Sequence, residues 1–389
     1  MAFEKKIIRV DIINVVNSIF LEAIKRGASD IHIEPYNDEM IIRYRVDGVL
    51  SIIEKGSLDI FKQIISRIKV LAGLETMGVN RPQEGKYKFS FQDAEADLRI
   101  SIFPTNLGES VVIRVLKSIS TFEKYEDLGF TVEQSKIIEN TAKKPYGLIL
   151  VTGPNGSGKS TTLFTILNKL NKPSRSLATL EDPVEIKLNM VRQTQINPEI
   201  NLTFATGLRY LLRQDPDIIM VGEIRDKETA QIAVQAAITG HLVLATVHTN
   251  NAAGAIVRMI NMKVEPFLLA SALKLVTAQR LALANCPECK REYSPPPELL
   301  ARLGQAQDMK FYQSFGCDAC HSKGIKGRVG IHEVLVINDE ISHIIHSKPD
   351  DKEITNIAKK EGMLSLRDAA LKKVNEGIIS LGEALRLTE

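Results

Sequence analysis

Gly153-Pro154-Asn155-Gly156-Ser157-Gly158-Lys159-Ser160 has the spacing GxxxxGK[ST], and the chemistry of that spacing is the capture of phosphate. Glycines let successive backbone N–H groups point into one concavity, and the N-terminus of a following helix favours an anion. Lys159 can reach β- and γ-phosphates, the Ser160 hydroxyl can ligate Mg²⁺, and Thr161 extends the nucleotide-contacting run. The flanks suit the loop: GLILV reads as a buried strand before it, and Thr161–Leu170 as a helix after it. A glycine-rich turn without function is the competing reading, and the full motif between strand and helix outweighs it. ATP and Mg²⁺ are therefore expected.

Hydrolysis needs more than phosphate capture, so acids at neighbouring strand ends matter. Ile218–Val221 is an apolar run that leads through Gly222 to Glu223, a place for an acid that organises Mg²⁺ or water. Glu181-Asp182-Pro183-Val184-Glu185 follows the apolar run SLATL. In an open α/β sheet both groups reach the carboxyl edge, beside the phosphate loop. Solvated loop acids are the alternative; it is disfavoured for Glu181 and Glu223 and stays open for Asp182 and Glu185. In GHLVLATVHTN, His248 stands at the carboxyl end of a strand, where a γ-phosphate sensor could sit. His241 lies at the other end and has the weaker claim.

Cys286-x-x-Cys289 and Cys317-x-x-Cys320 supply four thiolates, which suits one tetrahedral structural Zn²⁺. Two disulfides or four unrelated thiols are the alternatives, and ATP chemistry implies a reducing compartment that disfavours disulfides. Arg99 in ADLRISIF and Arg114 in SVVIRVL sit in strand-like pieces, where spacing alone favours solvated sheet faces. Arg209 and Arg213 are four apart and share a helical face before the acid-ending strand.

The positioning elements read as two blocks. In the first, apolar residues at helical spacing predict helices over 10–26 and 59–72. Period-two alternation around residues 30–34 and 42–46, with Asp47-Gly48 as a hairpin turn, predicts strands, as do 86–91, 97–103 and 111–116. This is an α+β domain on an antiparallel sheet, residues 1–117. Residues 118–131 lose periodicity, gain charge and read as a linker. From 132 to 389, apolar strands at 148–151, 176–180, 218–221 and 242–246 alternate with helices, so a mostly parallel sheet covered by helices is expected. A zinc-binding module is expected over 285–328 and short helices over 337–389. The 389 residues are 44% hydrophobic and 25% charged with net charge +3. That composition excludes a disordered chain or a fibre, and it makes no demand for a polyanionic partner. No secretory leader and no membrane-spanning apolar run are visible, so an intracellular, soluble chain is expected.

Taken together these segments resemble the ATPases of type II secretion and type IV pilus assembly, from about residue 10 to the C-terminus. GASDIHIEP and IRYRVDGVL resemble the start of the family's arginine-bearing module, and GPNGSGKSTTL its phosphate loop, with Asn155 where threonine is more usual. TLEDPVE, RQDPDIIMVGEIRDKETA, TGHLVLATVHTN and the tetracysteine segment with GRVGIHEVL match its further motifs. The resemblance implies a RecA-like ATPase domain, with Glu181 as catalytic carboxylate and Glu223 organising Mg²⁺ and water. It implies that Arg99 and Arg114 act on the γ-phosphate. It also implies a homo-hexamer at the cytoplasmic side of the inner membrane, bound to a polytopic platform protein and touching membrane only through partners. Two departures stand out. The sequence starts at the arginine-bearing module, where most members carry one or two docking domains before it, so either a truncated chain or a short member that reaches the membrane only through the platform is expected. QRLALANCPEC also lacks the basic pair common before the first cysteine knuckle. The function expected is ATP-driven pilin or pseudopilin assembly. A retraction motor is the near alternative, and a structural ring that uses nucleotide only as a switch is disfavoured. A nucleic-acid translocase is disfavoured by the near-neutral charge and the absence of tryptophan and of basic tracts interleaved with aromatics.

Overall fold

The structure, a computed structural model, describes residues 11–76, 81–92, 94–116, 122–303, 309–347 and 349–389. The chain divides into two compact units, residues 1–119 and 120–389.

In the first unit α1 (Ile12–Lys25) is opened by Asp11, whose carboxylate accepts from the Ile13 and Asn14 N–H groups. Strands β1 (Asp30–Tyr36), β2 (Glu39–Val46) and β3 (Val49–Ser57) follow, then α2 (Leu58–Leu71), β4 (Gln83–Phe91), β5 (Ala94–Thr105) and β6 (Gly108–Leu116). The sheet runs β3-β2-β1-β6-β5-β4 and every described pairing is antiparallel. Asp47 and Gly48 both have positive φ, the turn that matches strand twist in a two-residue hairpin. Because side chains alternate, Ile31, Ile33, Ile42, Leu98, Ile100 and Ile113 share a buried face with Phe20 and Ile64 of the helices. Phe20 meets Phe89 edge-on at 5.5 Å, and the Tyr44 hydroxyl donates to the Ile19 carbonyl at 2.7 Å. The other face of the sheet carries the charged residues.

The second unit contains α3 (Val132–Ala142), β7 (Gly147–Thr152), α4 (Lys159–Leu170), β8 (Leu177–Glu181), β9 (Val191–Gln195), α5 (Phe204–Leu211), β10 (Ile218–Val221), α6 (Lys227–Ile238) and β11 (Leu242–Val247). It continues with α7 (Ala252–Asn261), α8 (Pro266–Ala272), β12 (Leu273–Asn285), β13 (Lys290–Glu292), α9 (Pro297–Ala301), β14 (Tyr312–Ser314), β15 (Ile325–Val336) and four short helices, α10 (Asp339–His346), α11 (Asp351–Lys360), α12 (Leu366–Asn375) and α13 (Leu381–Thr388). The sheet order is β15-β12-β7-β11-β10-β8-β9. All described neighbours are parallel except the β12–β15 pair. β7, β8, β10 and β11 are buried along their whole length, as a sheet covered on both faces requires.

Three features depart from the periodicity. Residues 118–121 of the expected linker lie outside the described residues, but Tyr125 and Phe130 are buried in the second unit. Phe130 stacks on His332 of β15 at 3.5 Å between ring centres, and Gly129, at φ +96°, approaches Gly330 too closely for any side chain. High local charge concealed two aromatic anchors. Residues 325–328, expected in the zinc module, form the start of β15. The long β12–β15 hairpin arms themselves were not read as strands, because their polar residues break the apolar run.

Candidate active site

β7 ends at Thr152, and the chain turns through Gly153, Gly156 and Gly158, all at positive φ, into α4. Lys159, at the first position of α4, lays its ammonium on the Gly153 and Pro154 carbonyls at 3.0 and 2.9 Å. Burial, opposed by the Glu223 carboxylate and aided by Arg280, holds its pKa below the ordinary lysine value. Asn155, Gly156, Gly158, Lys159, Ser160 and Thr161 line a pocket of about 460 Å³. Pro154 is exposed on the loop, and Ser157 is buried beneath it.

The sheet order brings the acids to this pocket. β10 lies between β8 and β11, so Glu181, Glu223 and His248 leave adjacent strand ends, and all three line the pocket with Asp182 and Glu185. Glu181 is 3% exposed, and burial raises its pKa. Donors from Thr179 and from Gln193, whose Nε2 lies 3.0 Å away, oppose that shift by stabilising the carboxylate. Glu223 accepts from Arg225 Nε at 2.5 Å and faces His248 Nε2 at 3.6 Å. Burial lowers the His248 pKa, with Lys159 adding to the effect and Glu223 opposing it. The Thr152 hydroxyl receives the Thr249 N–H at 2.9 Å and donates to the Val247 carbonyl at 2.9 Å, which pins the histidine-bearing loop to β7.

A pocket of this kind holds a phosphate chain on one wall and carboxylates on the other. Ser160 in the first turn of α4 and Glu223 opposite it are oxygen donors suited to Mg²⁺. His241 stays at the far end of β11, its Nδ1 3.1 Å from the Ala236 carbonyl. Arg209 pairs with Glu228, and Arg213 sits over the Tyr210 ring at 5.9 Å; neither lines the pocket.

In the first unit Arg99 and Arg114 are direct cross-strand partners on β5 and β6. The row continues on both sides: Lys86 opposes Arg99, Asp30 opposes Arg114, and Arg45 opposes Asp30. Asp30 accepts from Arg114 Nε at 3.3 Å and lies 3.8 Å from Arg45. Arg99 Nε is buried without a hydrogen-bond partner among the described residues. Like charges directly opposite are destabilising in a sheet, and the Asp30 carboxylate between Arg114 and Arg45 offsets part of that repulsion.

The family described as "Type II/IV secretion system protein" matches residues 9–386. The chain belongs to that family. It is 44% identical over 379 residues to the type II secretion system protein E of Pseudomonas aeruginosa, covering 97% of this chain and 75% of the relative. It is 46% identical over 380 residues to the type IV pilus assembly ATPase PilB of Thermus thermophilus, covering 96% of this chain and 42% of that one. Among solved structures it is similar to the pilus retraction motor PilT with bound ADP, at a TM-score of 0.63 and 25% identity, covering 95% and 96% of the two chains.

This secretion-family chain also gathers its four cysteines. Their Sγ atoms all lie within 4.8 Å of one another, with Cys286–Cys317 and Cys289–Cys320 at 3.9 Å and Cys317–Cys320 at 3.8 Å. Four sulfurs each ~2.3 Å from one Zn²⁺ stand ~3.8 Å apart, so the cluster has the dimensions of a tetrahedral zinc site. The Cys317 and Gly324 N–H groups both reach Cys320 Sγ at 3.2 Å. Against the upward push of desolvation, those donors, together with the neighbouring Cys317 and Cys289 thiols, lower the pKa of its thiol.

Sequence reasoning passed over Gln193, Arg225, Gln279 and Arg328. Arg225, Arg328 and Leu281 line the pocket beside the predicted residues. Gln279 in the mixed stretch KLVTAQRLAL carries no local signal of which loop its amide meets.

Proposed function

We propose that this chain is a motor ATPase whose hydrolysis of ATP to ADP and phosphate drives pilin or pseudopilin assembly. The observation that carries the reading is one pocket lined by Lys159, Ser160, Glu181, Glu223 and His248, in a chain 44–46% identical to a secretion protein E and a pilus assembly ATPase. The backbone of residues 153–159 and the Lys159 ammonium hold the phosphates, and Thr161 follows them into α4. Mg²⁺, held by Ser160 and Glu223, would neutralise phosphate charge. Glu181 orients and deprotonates the attacking water, and His248 senses the γ-phosphate from the end of β11. Arg99 and Arg114 supply charge to the transferring phosphoryl group, and with that the N-terminal unit reports on the nucleotide. Cys286, Cys289, Cys317 and Cys320 hold one structural Zn²⁺ per chain.

The working assembly in this reading is a homo-hexamer on a polytopic platform protein of the inner membrane, with protein rather than nucleic acid as cargo. No helix among the described residues is long and apolar enough to cross a membrane. The likeness to PilT favours retraction as the second reading.

Lys159→Ala should abolish Mg²⁺-dependent hydrolysis, and Glu181→Gln should keep nucleotide binding while losing turnover by 10² or more, roughly. Parental turnover in Glu181→Gln would show that another group is the catalytic carboxylate. Complementation of an assembly-defective against a retraction-defective strain separates the two motor readings.

A further inference from the structure

The phosphate loop has a support that its own sequence does not contain. β12 pairs with β7 up to Ala278–Thr152, so Gln279 emerges beside Gly153, where the loop begins. Its main-chain carbonyl fills the space a Gly153 side chain would need, and its side chain runs under the loop, 2% exposed. There Nε2 donates to the Ser157 carbonyl at 2.6 Å, and Oε1 accepts from the Thr162 hydroxyl at 2.9 Å. One amide thus ties the end of the loop to the second turn of α4.

The Ser157 contact has a consequence for anion binding. The carbonyl of Ser157 and the N–H of Gly158 belong to one planar trans peptide and point in opposite directions. Holding the carbonyl down on Gln279 therefore turns the Gly158 N–H away from Gln279, up into the concavity that takes phosphate. Gly158, at φ +89°, has Gln279 Nε2 only 3.2 Å from where a Cβ would stand, so the amide and the glycine are fitted to each other. Few other side chains serve: the site needs a donor for Ser157 and an acceptor for Thr162 on one short planar group.

We propose that Gln279 is a positioning residue that presets the phosphate loop of this ATPase by fixing the Ser157–Gly158 peptide. The proposal rests on the ATP-hydrolysing reading above and adds to it a residue that never touches nucleotide. A cradle present in both ground and transition states contributes uniform binding, so its loss raises KM and leaves kcat nearly unchanged. ADP and ATP, which share the β-phosphate, should lose affinity together.

The test measures dissociation constants for a fluorescent ADP and, by competition, for ATP, together with KM and kcat, in the full chain. Gln279→Leu and the similarly sized Gln279→Met both lose the donor to Ser157. Each should weaken ADP and ATP at least tenfold, with kcat at saturating ATP within about threefold of the parent. Thr162→Val removes only the partner of Oε1 and should bind both nucleotides within twofold of the parent, whatever it does to the melting temperature. If Gln279→Leu fails to fold, Gln279→Met carries the measurement. Parental affinities in the folded Gln279 variants overturn the proposal. So does a Thr162→Val loss equal to theirs, which would mark the pair as packing alone. A parent chain that binds no nucleotide would instead overturn the ATPase reading and leave the geometry of Gln279 as it stands.

Discussion

His332 shows how far a single residue can be carried by its surroundings. It is buried, stacked on Phe130, and bonded through Nε2 to the Leu128 carbonyl at 3.0 Å. Burial, opposed by that bond and aided by Lys373, lowers its pKa to about 3 from an ordinary 6.5. The unfolded chain therefore binds a proton that the folded chain refuses. The stability this neutral histidine contributes is complete above pH 6.5 and is lost progressively as pH falls from there toward 3. His332→Gln can keep a donor for Leu128 without a titrating group. Its melting temperature should fall less steeply than the parent's between pH 6.5 and 5, and equal slopes would remove His332 from the acid response. Glu181 has its pKa raised, so its effect runs the other way and favours the folded state at low pH.

β15 is the element on which most of the second unit's special contacts meet. Arg328 lines the nucleotide pocket, Gly330 and His332 receive residues 128–130, and Glu333 accepts from the Ala252 and Leu366 N–H groups that open α7 and α12. Burial raises the Glu333 pKa, and those two backbone donors oppose the shift. The tetracysteine segment lies between β12 and β15 and is tied to their ends by Cys286 N–H on the Gly324 carbonyl at 3.0 Å. Structural zinc contributes on the order of 10 kcal/mol to small modules, and that contribution is local. Cys286→Ser should lower the zinc content of the purified chain and speed amide exchange across residues 286–324. Most ATP hydrolysis should be retained, because no cysteine lines the nucleotide pocket among the described residues. Full zinc occupancy in Cys286→Ser would reject the four-thiolate site.

The whole chain is two compact units, residues 1–119 and 120–389. The Lys86–Arg99–Arg114–Asp30–Arg45 row concentrates four cations around one carboxylate on the exposed face of the first sheet. If Arg99 and Arg114 serve the γ-phosphate, Arg99→Ala and Arg114→Ala should each depress turnover about 10²-fold or more while leaving the melting temperature almost unchanged. Solvated arginines without a role would alter neither quantity, so near-parental turnover in both rejects the assignment. A ring closes from head-to-tail contacts. Light scattering with bound nucleotide should report six chains, and a monomer at all concentrations and nucleotide states would count against the ring.

The chemistry was legible in the sequence wherever it depends on neighbours along the chain. The phosphate loop, the paired cysteine knuckles, the Asp47-Gly48 turn and the buried runs of β7, β8, β10 and β11 are local patterns, because backbone conformation and side-chain periodicity act over a few residues. Their motifs were enough to place the chain in its family. What the tertiary structure decided is which distant pieces meet. Several equally apolar strands can pair in many orders, and only the observed order sets β10 between β8 and β11 and gathers Glu181, Glu223 and His248. Cross-strand register likewise belongs to the folded sheet, and it sets Arg99 opposite Arg114 with Asp30 beside them. Gln279 under Ser157, and Phe130 on His332, join residues more than a hundred positions apart. Such contacts follow from packing and sheet order, for which no short stretch of sequence carries a signal.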